Sequence, residues 1–358
     1  MNIRKYIPVS RAEFIVGIVL LVGFITIIAG TRLARLANTH SIRSETPVSI
    51  YLHQKTELPE LSKIMADAGL IVDREELIWA GRLLGWKNFN AGHYEIDGSY
   101  SYDVLLSRMA RGIQDPISLT ILPGLDRSRL VASIASNFRF DTASLNRVFA
   151  DSAFLAEQNL DRNEMLGRML PNTYSIYWTS EPDAVLKKIL NEFETAVLDT
   201  FGDRFRELDR TVNEIITLAS IIEWEAYHED EKPKISGLYW NRLDRGMRLQ
   251  ADPTINYVVG ERRRLLYSDY QIEHPYNTYL NRGLPPGPIT NPSLSSIEAA
   301  LFPQNHDYLY MVANPEGYHI FSETFEQHKR ESAKWRDWIR EQYRIKRQKQ
   351  QQSGDVSS

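Results

Sequence analysis

The chain contains no cysteine, which excludes disulfides, thiolate metal sites and a cysteine nucleophile. Histidine is sparse, eight in 358 residues. The eight are scattered, with no H-E-x-x-H and no His/Asp cluster at ligand spacing, so no metal is expected. There is no Walker A run, no G-x-G-x-x-G after a strand and no G-x-S-x-G elbow. The usual supports for nucleotide, dinucleotide and serine-hydrolase chemistry are therefore missing, and no cofactor is expected. Strong charge of either sign is also missing. A formal net charge of −4 gives no reason to expect nucleic acid as a partner.

What the chain does have is one long uncharged run. Phe14 to Gly30 reads FIVGIVLLVGFITIIAG and, with its neighbours, nearly reaches the roughly 20 residues a spanning helix needs. A cleaved signal peptide has a shorter apolar core of about 7–15 residues ending at small residues. Here Arg32 and Arg35 sit where cleavage would fall, so we read residues 14–31 as a retained transmembrane helix in the cell inner (plasma) membrane. Arg4, Lys5 and Arg11 precede it and Arg32, Arg35 and Arg43 follow it, so the positive-inside rule barely decides orientation. A short cytoplasmic N-terminus (1–13) and a large outward-facing remainder fit this arrangement.

The fold class read from the pattern is α+β. Residues 32–45 form a polar linker. Over 46–116 a short β run (48–52), two helical periodicities (58–70 and 74–84) and a second β run (93–96) make a small βααβ module. A further helix, 101–112, ends at Gly112. Residues 117–343 form a larger mixed domain. It begins with a strand at 117–122 and continues mainly helical from Arg127 to about Phe201, broken at Pro171-Asn172. An apolar helix from Thr211 to about His228 and a stiff Pro/Gly loop at 283–292 follow. A hairpin (308–312 with 319–321) and a basic helix from Lys329 to Tyr343 complete it, with Trp335 and Trp338 read as packing residues. Residues 344–358 have no apolar periodicity and are expected to be disordered.

The chemistry-bearing groups are carboxylates in an apolar helix. Residues 215–226 read IITLASIIEWEA, placing Glu223 and Glu225 at the end of a buried-looking stretch. Residues i and i+2 lie about 200° apart on a helix, so the two cannot share a face. One could line a cleft, where lost solvation would raise its pKa toward a general acid's range. Spacing alone is equally satisfied by two solvated Glu at a helix rim. Downstream, Asn241, Arg242, Gln250, Asp252 and Thr254, then Tyr276, Asn277, Thr278 and Tyr279, supply amides, a guanidinium and aromatic faces suited to a sugar. Arg262 to Arg264 could meet anionic groups or form a solvated loop.

The ordered set ASIIEWEA (219–226), NRL-x-x-GMRLQADPT (241–254), YNTY (276–279), GLPPGPI (283–289) and YLYMVA…HIF (308–321) resembles the YceG-like family of endolytic murein transglycosylases. LPNTY (170–174) and AGHY (91–94) are similar to two further family elements. The resemblance implies Glu225, the second acid of the family's E-x-E, as the catalytic acid/base, with Glu223 and the polar residues just named on the substrate. It implies a lyase that cuts the β-1,4 bond between N-acetylmuramic acid and N-acetylglucosamine within glycan strands, leaving 1,6-anhydromuramyl ends and terminating nascent strands. It also implies a LysM-like character for the small module, peptidoglycan strands as partner, peptidoglycan synthases as candidate partners, and a periplasmic or extracytoplasmic catalytic domain. Two rival readings stand beside it: a wall-binding scaffold that has kept the fold and lost catalysis, and a muramidase-type hydrolase using the same Glu. Four features depart from the family pattern, one being that the Pro123-Gly124 turn lacks the acidic residue commonly found just before its Gly. Asn172 replaces its Asp, Leu166 replaces an acid, and Trp224 replaces its usual Lys.

Overall fold

A computed structural model describes residues 10–354, and these group into two units. The first runs to Ile117 and includes Tyr177–Thr179; the second comprises Ser118–Ile176 and the chain from Ser180 onward.

In the first unit the apolar run lies within a 26-residue helix, Arg11–Leu36, long and apolar enough to cross a membrane. Its large side chains, Phe14, Leu20 and Phe24 among them, are exposed. That is a costly arrangement in water and a favourable one in lipid. Beyond it, Val48–Leu52 pairs antiparallel with Gly92–Ile96, Val48 opposite Ile96 and Leu52 opposite Gly92. Between these strands lie the helices Leu58–Asp67 and Arg74–Leu84, so the β-α-α-β order follows the apolar periodicity. Leu58, Leu61 and Met65 are buried along one helix face, and Leu77 and Ala80 along the other's. The second helix starts at the Asp73 cap and stops where Gly85 turns left-handed (φ 78°). The helix Tyr102–Ala110 adds Leu105, Leu106 and Met109 to the same core, which includes Ile50, Phe89 and Tyr94.

The second unit is built around the helix Val212–Glu225. Thr211 and Glu214 close a capping box at its start. From Ile215 to Ile222 every side chain is buried, as expected of a helix apolar on all sides. The helices Lys232–Asp244, Asp252–Val259 and Leu294–Leu301 pack around it. The Pro/Gly stretch runs along its flank: the Ile289 amide donates to Ser220 Oγ at 3.0 Å, and Thr290 Oγ1 donates to the Ser220 carbonyl at 3.3 Å. Gly287 permits the close approach, because a Cβ there would lie 2.5 Å from the Asn163 carbonyl oxygen. The fully buried Asn291 ties three segments together, donating to the Leu122 and Met169 carbonyls and accepting from the Leu125 amide.

Two expectations are corrected. LPNTY does not simply break a helical region. Asn172–Tyr177 is a strand paired with Pro116–Ile121, with Tyr174 and Ile176 turned inward. The alternating T-Y-S-I-Y pattern accounts for this, but it is short and set among helical segments. The disordered tail expected over 344–358 is also not found as such. One helix runs from Phe325 to Gly354, because its Lys, Arg and Gln residues are good helix formers despite lacking an apolar stripe. Residues 355–358, and 1–9 at the other end, lie outside the described residues. The hairpin forms from Tyr310–Ala313 and His319–Ser322.

Candidate active site

The Val212–Glu225 helix ends where Ala226 leaves helical geometry. Its last three side chains therefore point in three directions, and each meets a different structure.

Glu223 faces the start of the Leu294–Leu301 helix. Its Oε2 accepts from the Ser293 amide (2.9 Å), Ser293 Oγ (2.5 Å) and Ser296 Oγ (2.7 Å). The buried Lys232 ammonium lies 3.7 Å away and also bonds Glu229, Ser293 and Ser295. A carboxylate so engaged at a helix N-terminus is a structural clamp, and Glu223 does not line the cavity that Glu225 faces. Trp224 turns the other way. Its indole N–H donates to the Gly124 carbonyl at 2.8 Å, and the Arg262 guanidinium lies over its ring at 5.1 Å. At this position Trp pins the Pro123-Gly124 turn, whose Gly adopts φ 70°.

Glu225 faces a cavity of about 310 Å³ lined by Tyr239, Arg242, Gln250, Asp252, Tyr279, His319 and Trp335, with Met311 and Val312 from the hairpin. Burial is the main force on its carboxyl, and the nearby Asp252 carboxylate adds to it. A hydrogen bond from Tyr239 and the positive charges of Arg242 and Arg262 pull back; the balance pushes Glu225 up to about 7. Tyr239 and Tyr279 are raised well above the usual phenol range, chiefly by burial and then by Glu225 and Asp252 respectively. Both remain neutral donors at physiological pH.

The walls of this cavity are held rigidly. Arg242 donates through Nε to the Leu309 carbonyl (2.5 Å) and through Nη1 to the Leu249 carbonyl (2.6 Å), with its guanidinium 5.4 Å from the Tyr310 ring centre. Burial lowers its pKa, yet an Arg stays charged. Asp252, the first residue of its helix, accepts from Tyr279 Oη at 2.6 Å and more weakly from Tyr270 Oη at 3.3 Å. Gln250 sits in left-handed backbone (φ 48°), its amide on the Thr278 carbonyl. A non-glycine residue held there costs about 1–3 kcal/mol, which the surrounding structure must offset. Together these groups offer a neutral acid, a fixed carboxylate, a guanidinium, two phenols and an indole. That is the chemistry of an acid/base site for a neutral, hydroxyl-rich ligand. Among the described residues no group of three His, Asp or Glu side chains is placed to hold a metal ion.

Of the residues expected here, the structure brings Glu225, Arg242, Gln250, Asp252 and Tyr279 together. The others hold the scaffold. Asn241 Nδ2 donates to the His306 carbonyl at 2.6 Å, and Asn277 donates to the Tyr270 and Ile272 carbonyls and accepts from the Tyr279 amide. The buried Thr254 and Thr278 bond each other at 2.9 Å, and Thr278 also takes the Ala251 amide. Tyr276 is buried against Tyr257. Conversely, Tyr239, His319 and Trp335 line the cavity without having been singled out for it. Tyr239 was findable, three positions before Arg242 on one helix face. His319 is fixed by Glu231, which takes its backbone N–H at 2.8 Å and lies 3.0 Å from Nδ1. Trp335 stacks on Trp338 at 5.0 Å; Trp335, expected only to pack, faces the cavity, and Trp338 is exposed.

Comparison with known proteins places this geometry. Residues 50–334 match the model of the YceG-like family. An endolytic murein transglycosylase of Bacillus subtilis (strain 168) is 27% identical over 311 residues, covering 82% of this chain and 86% of the relative. One from Streptococcus pneumoniae serotype 2 (strain D39) is 27% identical over 324 residues, 81% of this chain; the chain spans 58% of that relative's length. A crystal structure of a YceG-like protein from Listeria monocytogenes superposes with a TM-score of 0.58 at 28% identity, covering 80% of this chain and 99% of that one. The chain belongs to the YceG-like family.

Proposed function

We propose that this protein is an endolytic lytic transglycosylase that cuts murein between N-acetylmuramic acid and N-acetylglucosamine, with Glu225 as its single acid/base. The observation that carries the proposal is a carboxyl held at about 7 by burial and by Asp252, facing a polar cavity. Near neutral pH a sizeable fraction of it is protonated and able to donate. Glu225 gives its proton to the glycosidic oxygen as the bond from the muramyl C1 breaks. The resulting carboxylate then takes the proton of the muramyl C6 hydroxyl as O6 bonds to C1. Atoms and charge balance without water: one C–O bond breaks, another forms, and Glu225 ends protonated as it began. Tyr279 holds Asp252, Tyr239 donates to Glu225, and Trp335 offers a flat face to a sugar ring.

The remaining assignments rest on family likeness and on the N-terminal helix. The helix anchors the chain in the inner membrane with its catalytic unit outside. The β-α-α-β module is LysM-like and holds glycan, and cutting terminates strands being extended by synthases. A second reading, a muramidase-type hydrolase, is favoured by one observation: Asp252 lies close enough to Glu225 to raise its pKa, and a second carboxylate can position water. Incubating the full chain in detergent with purified sacculi and weighing the products separates the two. Anhydro ends uphold the lyase, reducing ends the hydrolase, and unchanged strands overturn both.

A further inference from the structure

The helix Arg74–Leu84 carries apolar side chains on two opposite faces, and the core uses only one of them. Leu77, Ala80 and Gly81 are buried. Glu75, Ile78, Trp79, Arg82 and Leu83 follow the i, i+3, i+4, i+7, i+8 spacing of the other stripe. With Arg32 of the apolar helix they line a groove of about 500 Å³. Ile78 and Trp79 are half-buried, and Leu83 is 41% exposed. An indole and two aliphatic side chains gathered beside two guanidiniums form an amphipathic patch that the module's own packing leaves uncovered.

The apolar helix sets the depth of this groove. Its uncharged run ends at Gly30. At about 1.5 Å per residue, Arg32 stands about 3 Å beyond that point, inside a headgroup layer about 5–8 Å thick. The helix does not leave the module on a free hinge. Leu36 is buried in the module's core, and Arg35 donates through Nε and Nη2 to Glu76 Oε1 at 3.0 and 2.7 Å. Tyr102 Oη donates to the other Glu76 oxygen at 3.3 Å, and the Arg35 guanidinium lies 4.4 Å from the Trp79 ring centre. Helix and module are held together, so the groove beside Arg32 lies at headgroup depth. Arg32 and Arg82 are both exposed, and neither has an ion pair or a side-chain hydrogen bond among the described residues. Glu75 is the groove's single acid, so two guanidiniums leave it net positive. Tryptophan and arginine are the residues suited to this depth, the ring or stem against acyl chains and the polar end among headgroups.

We propose that this groove binds an anionic phospholipid of the leaflet from which the helix emerges, its phosphate on Arg32 and Arg82 and its upper acyl chains against Ile78, Trp79 and Leu83. The inference rests on the reading of Arg11–Leu36 as a membrane anchor. Guanidiniums alone would take free phosphate; the three apolar side chains beside them select the lipid. The test places the full chain in nanodiscs of phosphatidylglycerol brominated either near the headgroup or near the chain ends. Shallow bromines are expected to quench tryptophan emission more than deep ones, and Trp79→Phe to remove most of that difference. In non-ionic detergent, shallow-brominated phosphatidylglycerol is expected to quench saturably, and the same-brominated phosphatidylcholine only at higher concentration. The Arg32→Gln/Arg82→Gln double variant is expected to need roughly 10- to 30-fold more phosphatidylglycerol for half-quenching. Phosphatidylcholine quenching at the same concentration as phosphatidylglycerol, or a difference between shallow and deep bromines that survives Trp79→Phe, overturns the proposal. Soluble glycerol phosphate that displaces the brominated lipid as well as unbrominated phosphatidylglycerol does overturns the choice of a lipid. The phosphatidylcholine comparison needs no variant, so a misfolded substitution leaves the test intact. A chain that does not co-float with the discs overturns the anchor reading together with the proposal, whereas a chain that co-floats without the expected quenching overturns the proposal alone.

Discussion

Replacing Glu225 with Gln should make the protein more stable at alkaline pH while removing its activity. Glu225 has its carboxyl raised from 4.5 to about 7 in the folded chain. The folded state therefore binds its proton more tightly than the unfolded state does. Stability from this group is fully present below pH 4.5 and is lost as the pH rises through 7, because ionising the carboxyl inside the cavity costs more than ionising it in water. At about 1.36 kcal/mol per pH unit, the loss reaches about 3 kcal/mol above pH 7. Gln has a similar shape, can still accept from Tyr239 and does not titrate, so the variant escapes the loss. Melting temperatures of the two proteins, measured across pH 4 to 8.5, should coincide within a degree or two at the acid end. They should then diverge by roughly 6–12 °C in favour of Glu225→Gln at the alkaline end. A difference that does not change with pH would refute the assignment of this carboxyl as the buried, raised one.

Three further outcomes follow from the same geometry. Activity requires protonated Glu225 and should fall as pH rises past about 7; removing the neighbouring charge in Asp252→Asn should move that fall to lower pH, which a kcat/KM profile on sacculi would reveal. Glu223→Ala leaves the Ser293 amide and the Ser293 and Ser296 hydroxyls without their acceptor and takes one of two countercharges from Lys232, so it should cost about 3 kcal/mol by denaturant titration while the folded fraction keeps near-normal turnover. A normal melting curve with lost turnover would instead move Glu223 into the chemistry. Trp335→Ala should raise KM more than it lowers kcat, since it removes a face that lines the cavity and donates nothing to the reacting bond.

How far the sequence could be read depended on what each residue type competes for. The Val212–Glu225 helix was legible because its run is strongly apolar, and Leu61, Met65 and Leu77 were legible by period, whereas Leu83, read by the same period, is exposed. The divergence of Glu223 and Glu225 followed from helix geometry, though which one faced the cavity did not. Asn241, Thr254, Asn277 and Thr278 looked like ligand contacts because a buried backbone group and a sugar hydroxyl call for the same side chains. Only the fold shows that the idle donors and acceptors nearby are the protein's own. His319 and Trp335 come from elements some 60 or more residues beyond most of the site, and their long-range placement leaves no local pattern. The strand at Asn172 is short, and the polar C-terminal helix has propensity without periodicity, so neither carried a strong signal.

Glu225→Gln, checked to be folded, and the unaltered chain should be incubated side by side with purified sacculi at pH 6.5, and the released fragments quantified. A loss of at least roughly 100-fold is expected in the variant; a variant that cuts as fast as the unaltered chain would contradict Glu225 as the acid/base.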